Sequence, residues 1–301
     1  MIMKYYSVSE FAKQQNLPER TIRHYCATGK IAGAFLTGKT WNIPEEAVIS
    51  DSKTKKRFNE NPLLDALKEQ KDMKLNGGIY HRVQVDLTYN SNHIEGSRLT
   101  HDQTRFIFET NTIGATGEMI NVDDIIETTN HFKCIDMIIE KAKTKKLTET
   151  FIKELHYTLK SGTSDSRKDW FQVGNYKKLP NEVGGNKTCS PEEVPGRIKT
   201  LLANYNAINN KTIEDIISFH REFECIHPFQ DGNGRVGRLI MFKECLSNNI
   251  VPFIIDEELK WFYYRGLQEW NRTHLYLVDT CLTAQDKFKI ILQYFKIDYN
   301  E

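Results

Sequence analysis

No apolar run in this chain approaches the roughly 20 residues that a bilayer-spanning helix needs. No secretory leader opens it either, so the sequence predicts a cytoplasmic protein with no membrane partner. An excess of one charge is also missing. Lys and Arg number 41 against 40 Asp and Glu, so bulk charge points to neither nucleic acid nor lipid. The six cysteines are thinly spread and include no Cys-x-x-Cys pair. Two of them, Cys225 and Cys245, fall within apolar helical runs that predict buried thiols. No internal repeat divides the chain. What is present suits a globular protein, with 39% hydrophobic residues for a core and 27% charged residues for a surface. The 301 residues suffice for a full-sized catalytic domain and one small module.

Charge is unevenly distributed along that length. Residues 1–57 hold ten Lys and Arg against five Asp and Glu, leaving 31 against 35 for the rest. A basic module thus precedes a mildly acidic body. Ser7-Val8-Ser9-Glu10 reads as a capping box opening a short helix with Phe11 and Ala12 on its core face. Asn16-Leu17-Pro18 makes a turn, and a second helix follows over Glu19 to Thr28, closed by Gly29. It exposes Arg20, Arg23 and His24 and turns Ile22 and Tyr25 inward. Ile31 to Phe35 and Thr40 to Ile43 read as two short strands around Thr37-Gly38-Lys39, with a further helix starting at Pro44-Glu45-Glu46. The module, residues 1–50, resembles the winged helix-turn-helix of excisionase and MerR-like DNA-binding proteins. That resemblance implies duplex DNA as a partner of residues 1–57, through Arg20, Arg23 and His24.

Gly33 to Thr40 matches the Walker A pattern letter for letter. A phosphate loop must leave a buried strand and open a long helix. Here a helix precedes it and Trp41-Asn42-Ile43-Pro44 blocks any helix after it, so it is read as the wing turn. Residues 51–62 are polar and charged, as a linker is. Beyond them apolar residues recur three and four apart in Ile125 to Ile139, Phe151 to Leu159, Val194 to Tyr205, Ile213 to Phe223, Leu239 to Leu246 and Phe288 to Phe295. Asn175 to Pro191, rich in Gly, Pro, Asn and Lys, reads as a hairpin between helices. The expectation for 63–301 is an all-α bundle with one β excursion.

The most informative stretch is His227-Pro228-Phe229-Gln230-Asp231-Gly232-Asn233-Gly234-Arg235-Val236-Gly237-Arg238. An apolar helix ends at His227, since Pro228 restricts the residue before it to extended conformations. Asp231 to Gly234 contain three residues that tolerate positive φ, so successive amides can converge on an anion. A helix then starts and adds its N-terminal positive end. Arg235 and Arg238, three apart, both face that concavity, and Asp231 at its rim is a hard oxygen ligand suited to Mg²⁺. The conjunction predicts a polyphosphate cradle with a metal ligand and a histidine base at its mouth.

These twelve residues match the motif HPFx[DE]GNGRxxR of the Fic family at every defining position. Similarity extends over most of residues 75–295, including Ile152 to His156, Gly174 to Lys177, Val183-Gly184-Gly185, Val194-Pro195, Tyr263-Tyr264 and Asn271. The resemblance implies a Fic-type helical bundle with a β-hairpin flap, and a protein adenylyltransferase. Such an enzyme moves AMP from ATP to a Ser, Thr or Tyr hydroxyl of a protein target, or of itself. It implies His227 as general base, Asp231 as Mg²⁺ ligand, and Asn233 with nearby amides on the α-phosphate. Arg235 and Arg238 would hold the β- and γ-phosphates, with Gly232, Gly234, Val236 and Gly237 completing the ATP site and Phe229 anchoring the loop. Val183, Gly184 and Gly185 would lie in the flap, and Tyr263, Tyr264 and Asn271 in the nucleoside pocket. Gly234 stands where phosphorylating members carry Lys, which favours nucleotidyl transfer.

Ser91-Asn92-His93-Ile94-Glu95-Gly96 resembles the family's inhibitory helix, [ST]xxxE[GN], near 88–96. An acid in the last turn is disfavoured by the helix dipole and seeks a cation, and the resemblance implies Arg238. The alternative function is a transcription regulator whose Fic-like body senses nucleotide or dimerises. AMP removal, transfer of another nucleotide and a homodimer stay open.

Overall fold

The computed structural model describes residues 4–15, 17–27, 31–37, 40–49, 61–114, 117 and 119–299. The chain divides into two compact units, Met1–Glu60 and Asn61–Glu301.

In the first unit a short strand β1 (Tyr5–Tyr6) precedes helix α1 (Val8–Gln15) and helix α2 (Glu19–Ala27). The capping box is formed: Glu10 N donates to Ser7 Oγ at 3.3 Å, and Ser7 N donates to Glu10 Oε2 at 2.8 Å. Strands β2 (Phe35–Thr37) and β3 (Thr40–Pro44) pair antiparallel, and β1 adds to β3 for the order β1-β3-β2. Phe11, Ile22, Ile31 and Ile43 form the centre of a small core. Thr40 thus opens a strand, in keeping with the rejection of a phosphate loop at Gly33 to Thr40. Two expectations are corrected. Glu45 and Glu46 form a turn where a helix was expected, with Glu45 N bonded to Lys4 O across the sheet end. Ile31 makes only an isolated bridge to Ile49, and the strand begins at Phe35. The expected helix stop at Gly29 and the tip Gly38-Lys39 lie outside the described residues, as do the side chains of Arg20 and His24 and residues 51–60 of the linker.

The second unit is helical. Its elements are α3 (Pro62–Asp72), α4 (Ile79–Ile94), α5 (His101–Thr110), α6 (Val122–Lys141), α7 (Glu149–Lys160), α8 (Val194–Ala207), α9 (Ile213–Ile226), α10 (Asn233–Ser247), α11 (Lys260–Gln268) and α12 (Leu275–Tyr294). All six stretches of predicted periodicity lie on helices. The polar end of the expected linker is structural: Asn61 caps α3 by accepting from Leu64 N at 3.0 Å, and Pro62 takes the first helical position.

Helix α10 is the axis of this unit. Every residue from Asn233 to Leu246 is buried, as a helix surrounded on all sides must be. Helices α9, α6, α7 and α4 pack around it. Between α7 and α8 the chain forms a hairpin of β4 (Glu182–Val183) and β5 (Asn186–Lys187). Its two-residue turn puts Gly184 at φ 56° and Gly185 at φ 78°, both in the left-handed region that a tight hairpin turn requires. Cys245 is buried, but Cys225 is exposed on the solvent side of α9, against expectation. Its apolar neighbours Phe223 and Ile226 take the inward positions of that turn.

Candidate active site

Two helix ends make the site. Helix α9 starts at a capping box between Thr212 and Asp215 and runs to Ile226. It is closed by His227 in the left-handed conformation, φ 50° and ψ 62°. The extended backbone expected before Pro228 is therefore corrected. The proline ring excludes the right-handed helical region, and the left-handed one lets His227 N still bond Phe223 O at 2.9 Å. Helix α10 begins six residues on, at Asn233, preceded by Gly232 with φ 82°. Of the three residues expected to use positive φ, Gly232 alone does; Asn233 and Gly234 are already helical. No side chain caps this terminus, so the first-turn amides and the positive end of the helix dipole are left for an anion.

The loop between them is braced from within. Asn233 Oδ1 accepts from Phe229 N, and Asn233 Nδ2 donates to Phe229 O, both at 2.8 Å. Any grip of Asn233 on a phosphate would therefore come from its backbone N–H or its second amide proton. Phe229 is fully buried, as expected of a loop anchor, and its ring stacks on His156 at 3.9 Å between centroids. His156 donates from Nε2 to Asp231 O at 3.1 Å and accepts at Nδ1 from Gly174 N at 2.9 Å.

The carboxylate of Asp231 lies in a charged cluster that the sequence did not announce. Its Oδ2 accepts from Lys160 Nζ at 2.6 Å and from Arg235 Nη2 at 3.1 Å. Lys160 also holds Glu127 at 2.5 Å and Asp165 at 3.1 Å, and Arg235 pairs with Glu127. Burial works against the Asp231 charge, yet Arg235 and Lys160 outweigh it and keep the carboxyl well below the usual range. The side chain is nonetheless 47% exposed. A half-exposed carboxylate beside an uncapped helix N-terminus fits Mg²⁺, which binds through one or two carboxylates plus substrate phosphates. Among the described residues no cluster of three His, Cys, Asp or Glu that could hold a metal ion exists.

Arg235 and Arg238 do not share one partner. Arg238 Nη2 donates to Glu95 Oε1 at 2.6 Å and to Ser91 O at 2.9 Å, while its Nε donates to Ser91 Oγ at 3.0 Å. Glu95 sits at the C-terminal end of α4, with Gly96 at φ 95° after it. Ser91 and Glu95 thus meet Arg238, and Gly96 follows Glu95 at the helix end. A Cβ on Gly234 would overlap Glu95 Oε1, so the carboxylate lies directly on the first turn of α10, where an anion would bind.

His227 is mostly buried, and its Nδ1 lies 3.9 Å from Glu224 Oε2. Burial first, and then the Lys177 ammonium, push the imidazole down to about 4. At neutral pH it is therefore unprotonated and able to accept a proton. The other expected residues scatter. Val183, Gly184 and Gly185 are exposed on the hairpin. Tyr263 is buried with its hydroxyl 2.6 Å from His220 Nε2, so its ring is core. Tyr264 donates to Ile94 O at 2.9 Å, next to Glu95. Asn271 is exposed and accepts from Arg221 at 3.2 Å. Lys160 and Glu127 went unread because each meets the site from a distant element and no local pattern marks them; Lys177 lies in a segment similar to the family, but nothing in that segment gives it a role.

Residues 146–245 match the model of the Fic/DOC family. The chain is 25% identical over 186 residues to protein adenylyltransferase fic-1 of Caenorhabditis elegans, covering 61% of this chain and 36% of that protein. It is 26% identical over 187 residues to protein adenylyltransferase Fic of Nematostella vectensis, covering 61% and 42%. It thus spans less than half the length of these curated relatives. A Fic domain containing signaling protein from Bacteroides thetaiotaomicron superposes with a TM-score of 0.62 at 24% identity, covering 80% of this chain and 99% of that one. Fic-1 from C. elegans gives 0.61 at 18%, covering 80% and 74%. The matching segment identifies residues 146–245 as a Fic/DOC family domain, and the helical unit shares its fold with these solved structures.

Proposed function

We propose that the protein is an adenylyltransferase that moves AMP from ATP to a hydroxyl side chain of a protein, and that Glu95 restrains it. The observation that carries this reading is the meeting of an unprotonated His227, Asp231 and the uncapped N-terminus of α10 at one mouth. In the proposed reaction His227 takes the hydroxyl proton as the oxygen attacks the α-phosphorus. The bond from that phosphorus to the bridging oxygen breaks, and pyrophosphate leaves. The α10 amides and Arg238 then stabilise the charge gathering on the departing group. Asp231 would hold Mg²⁺, which supplies charge neutralisation on the phosphates. The hairpin β4–β5 would receive the target segment by strand addition. Incubation with ATP labelled at the α-phosphate, alone and with candidate protein mixtures, should label protein. His227→Ala should abolish labelling and keep ATP binding, because His227 would touch the acceptor and not the phosphates. Undiminished labelling by that variant would remove the base assignment.

A second reading concerns the first unit. Its Arg23 side chain on α2 is 63% exposed and paired only at the surface with Glu19. Two helices followed by a β-hairpin also suit groove binding. The proposal is duplex DNA contact through Arg20, Arg23 and His24. For the full chain, affinity for duplex DNA should fall steeply as salt rises, and Arg23→Glu should weaken it. No binding at low salt would leave the unit without this role.

A further inference from the structure

Lys177 carries a charge that the proposed reaction has not used. It lies after α7, at the foot of the hairpin, and is buried. Its three ammonium protons meet three neutral acceptors: Asn181 Oδ1 at 2.7 Å, Thr188 Oγ1 at 2.7 Å and Ile226 O at 3.4 Å. Asn181 and Thr188 stand at the two feet of β4–β5, and Ile226 is the last residue of α9 before His227. The backbone repeats the link, since Lys177 N donates to Pro228 O at 2.9 Å and Asn181 Nδ2 to Phe229 O at 3.0 Å. Among the described residues no carboxylate pairs with this ammonium. A buried cation satisfied only by dipoles keeps its full field for its neighbours.

We infer that Lys177 is a positioning residue: its ammonium fastens both feet of the hairpin to the end of α9 and sets an uncompensated positive charge beside His227. This deepens the reading of His227 as a base. Four titratable groups act on that imidazole. Lys177 opposes its protonation, while Glu95 and Asp231 favour it and Glu224 stands 3.9 Å away. Glu224 is itself pushed up to about 8, first by burial and then by Glu95, so near neutrality it is largely uncharged and offsets little. The one other titratable group acting on Lys177 is the Cys189 thiol, and burial lowers the lysine to about 8. The charge is therefore present near pH 7 and weakens above about 8. A target segment pairing with the hairpin would pull on the same three bonds that hold the base.

The test is a histidine-ring NMR titration of the full chain, with the His227 signals assigned by their loss in His227→Ala. Lys177→Met should raise the His227 midpoint by roughly one pH unit, and Lys177→Arg should keep it low. In the same Lys177→Met sample the amide of Thr188, bonded to Asn181 O at 3.3 Å, should exchange faster with solvent. Should Lys177→Met fail to fold, Asn181→Asp neutralises the ammonium in place and should give the same upward shift. A folded variant of either kind whose His227 titrates where the wild type does overturns the charge assignment. An unchanged Thr188 exchange rate in folded Lys177→Met overturns the fastening. Neither readout needs nucleotide or target, so this inference and AMP transfer can fail separately.

Discussion

Glu95 and His227 each close a helix, and the chemistry proposed for this site depends on what each closing residue meets. Glu95 meets Arg238 at 2.6 Å and lies against Gly234, so it fills the place where a phosphate tail would lie. An ATP admitted beside it would have its α-phosphorus misaligned, and a misplacement near 1 Å can cost roughly a hundredfold in rate. Glu95→Gly is therefore expected to raise AMP incorporation well above wild type at equal ATP. Arg238→Ala should lose activity both alone and combined with Glu95→Gly, because the phosphate contact itself is gone. A folded Glu95→Gly protein no more active than wild type would reduce Glu95 to a capped helix end. The sequence pointed to this pair through the family resemblance of two short motifs, 143 positions apart. Lys160 had no such motif. It stands 71 positions from Asp231, in a run that reads only as the end of an amphipathic helix.

At the scale of elements, close approach decides what the helices tolerate. Helices α11 and α12 meet at Gly266, where an added Cβ would lie 2.7 Å from Leu277 Cα and 2.8 Å from Leu277 N. Those are backbone atoms and cannot rotate away. Gly266→Ala should therefore force the two helices apart and destabilise the second unit by about 1–3 kcal/mol, measured by urea denaturation. An unchanged midpoint would mean that the α11–α12 packing is looser than these distances. Periodicity revealed α6, α7, α8, α9, α10 and α12, whose apolar positions follow the helical repeat. It did not reveal α3, α5 or α11. Helix α11 carries Trp261, Phe262 and Tyr264 on exposed positions, which blurs its repeat. Helix α4 presents Gln84, Thr88 and Asn92 to Phe132, His131 and Thr128 of α6, a polar seam that hydrophobic patterning overlooks.

Among the described residues the protein holds three buried histidines and the mostly buried His227 in neutral form. His131, His156 and His220 are pushed down to about 3 and His227 to about 4, in each case first by burial. The unfolded value is about 6.5. As pH falls below it the unfolded chain binds protons that the folded chain refuses, so stability is lost from there down to each folded value. Glu224 works the other way. Raised to about 8, it weakens the fold as pH climbs from its unfolded value toward 8. Between pH 6.5 and 4.5 four groups outweigh one, and urea midpoints should fall steadily as pH drops through that window. His156→Gln should make the decline shallower. A flat profile would contradict the burial of these imidazoles in neutral form.

The sequence by itself determined the helical class, the helix end at His227 and the turn at Gly232. Each rests on neighbours within one or two helical turns, where spacing fixes geometry. The partnership of Glu95 with Arg238, 143 positions apart, came from the family resemblance of two motifs and not from spacing. The tertiary structure alone decided the left-handed backbone of His227, the burial of Tyr263 and the cluster of Lys160, Glu127 and Asp165 around Asp231. It also brought Lys177 to the end of α9. These depend on charges and rings carried in from separate helices, and a buried charge finds its partner through packing in three dimensions, which no local spacing encodes.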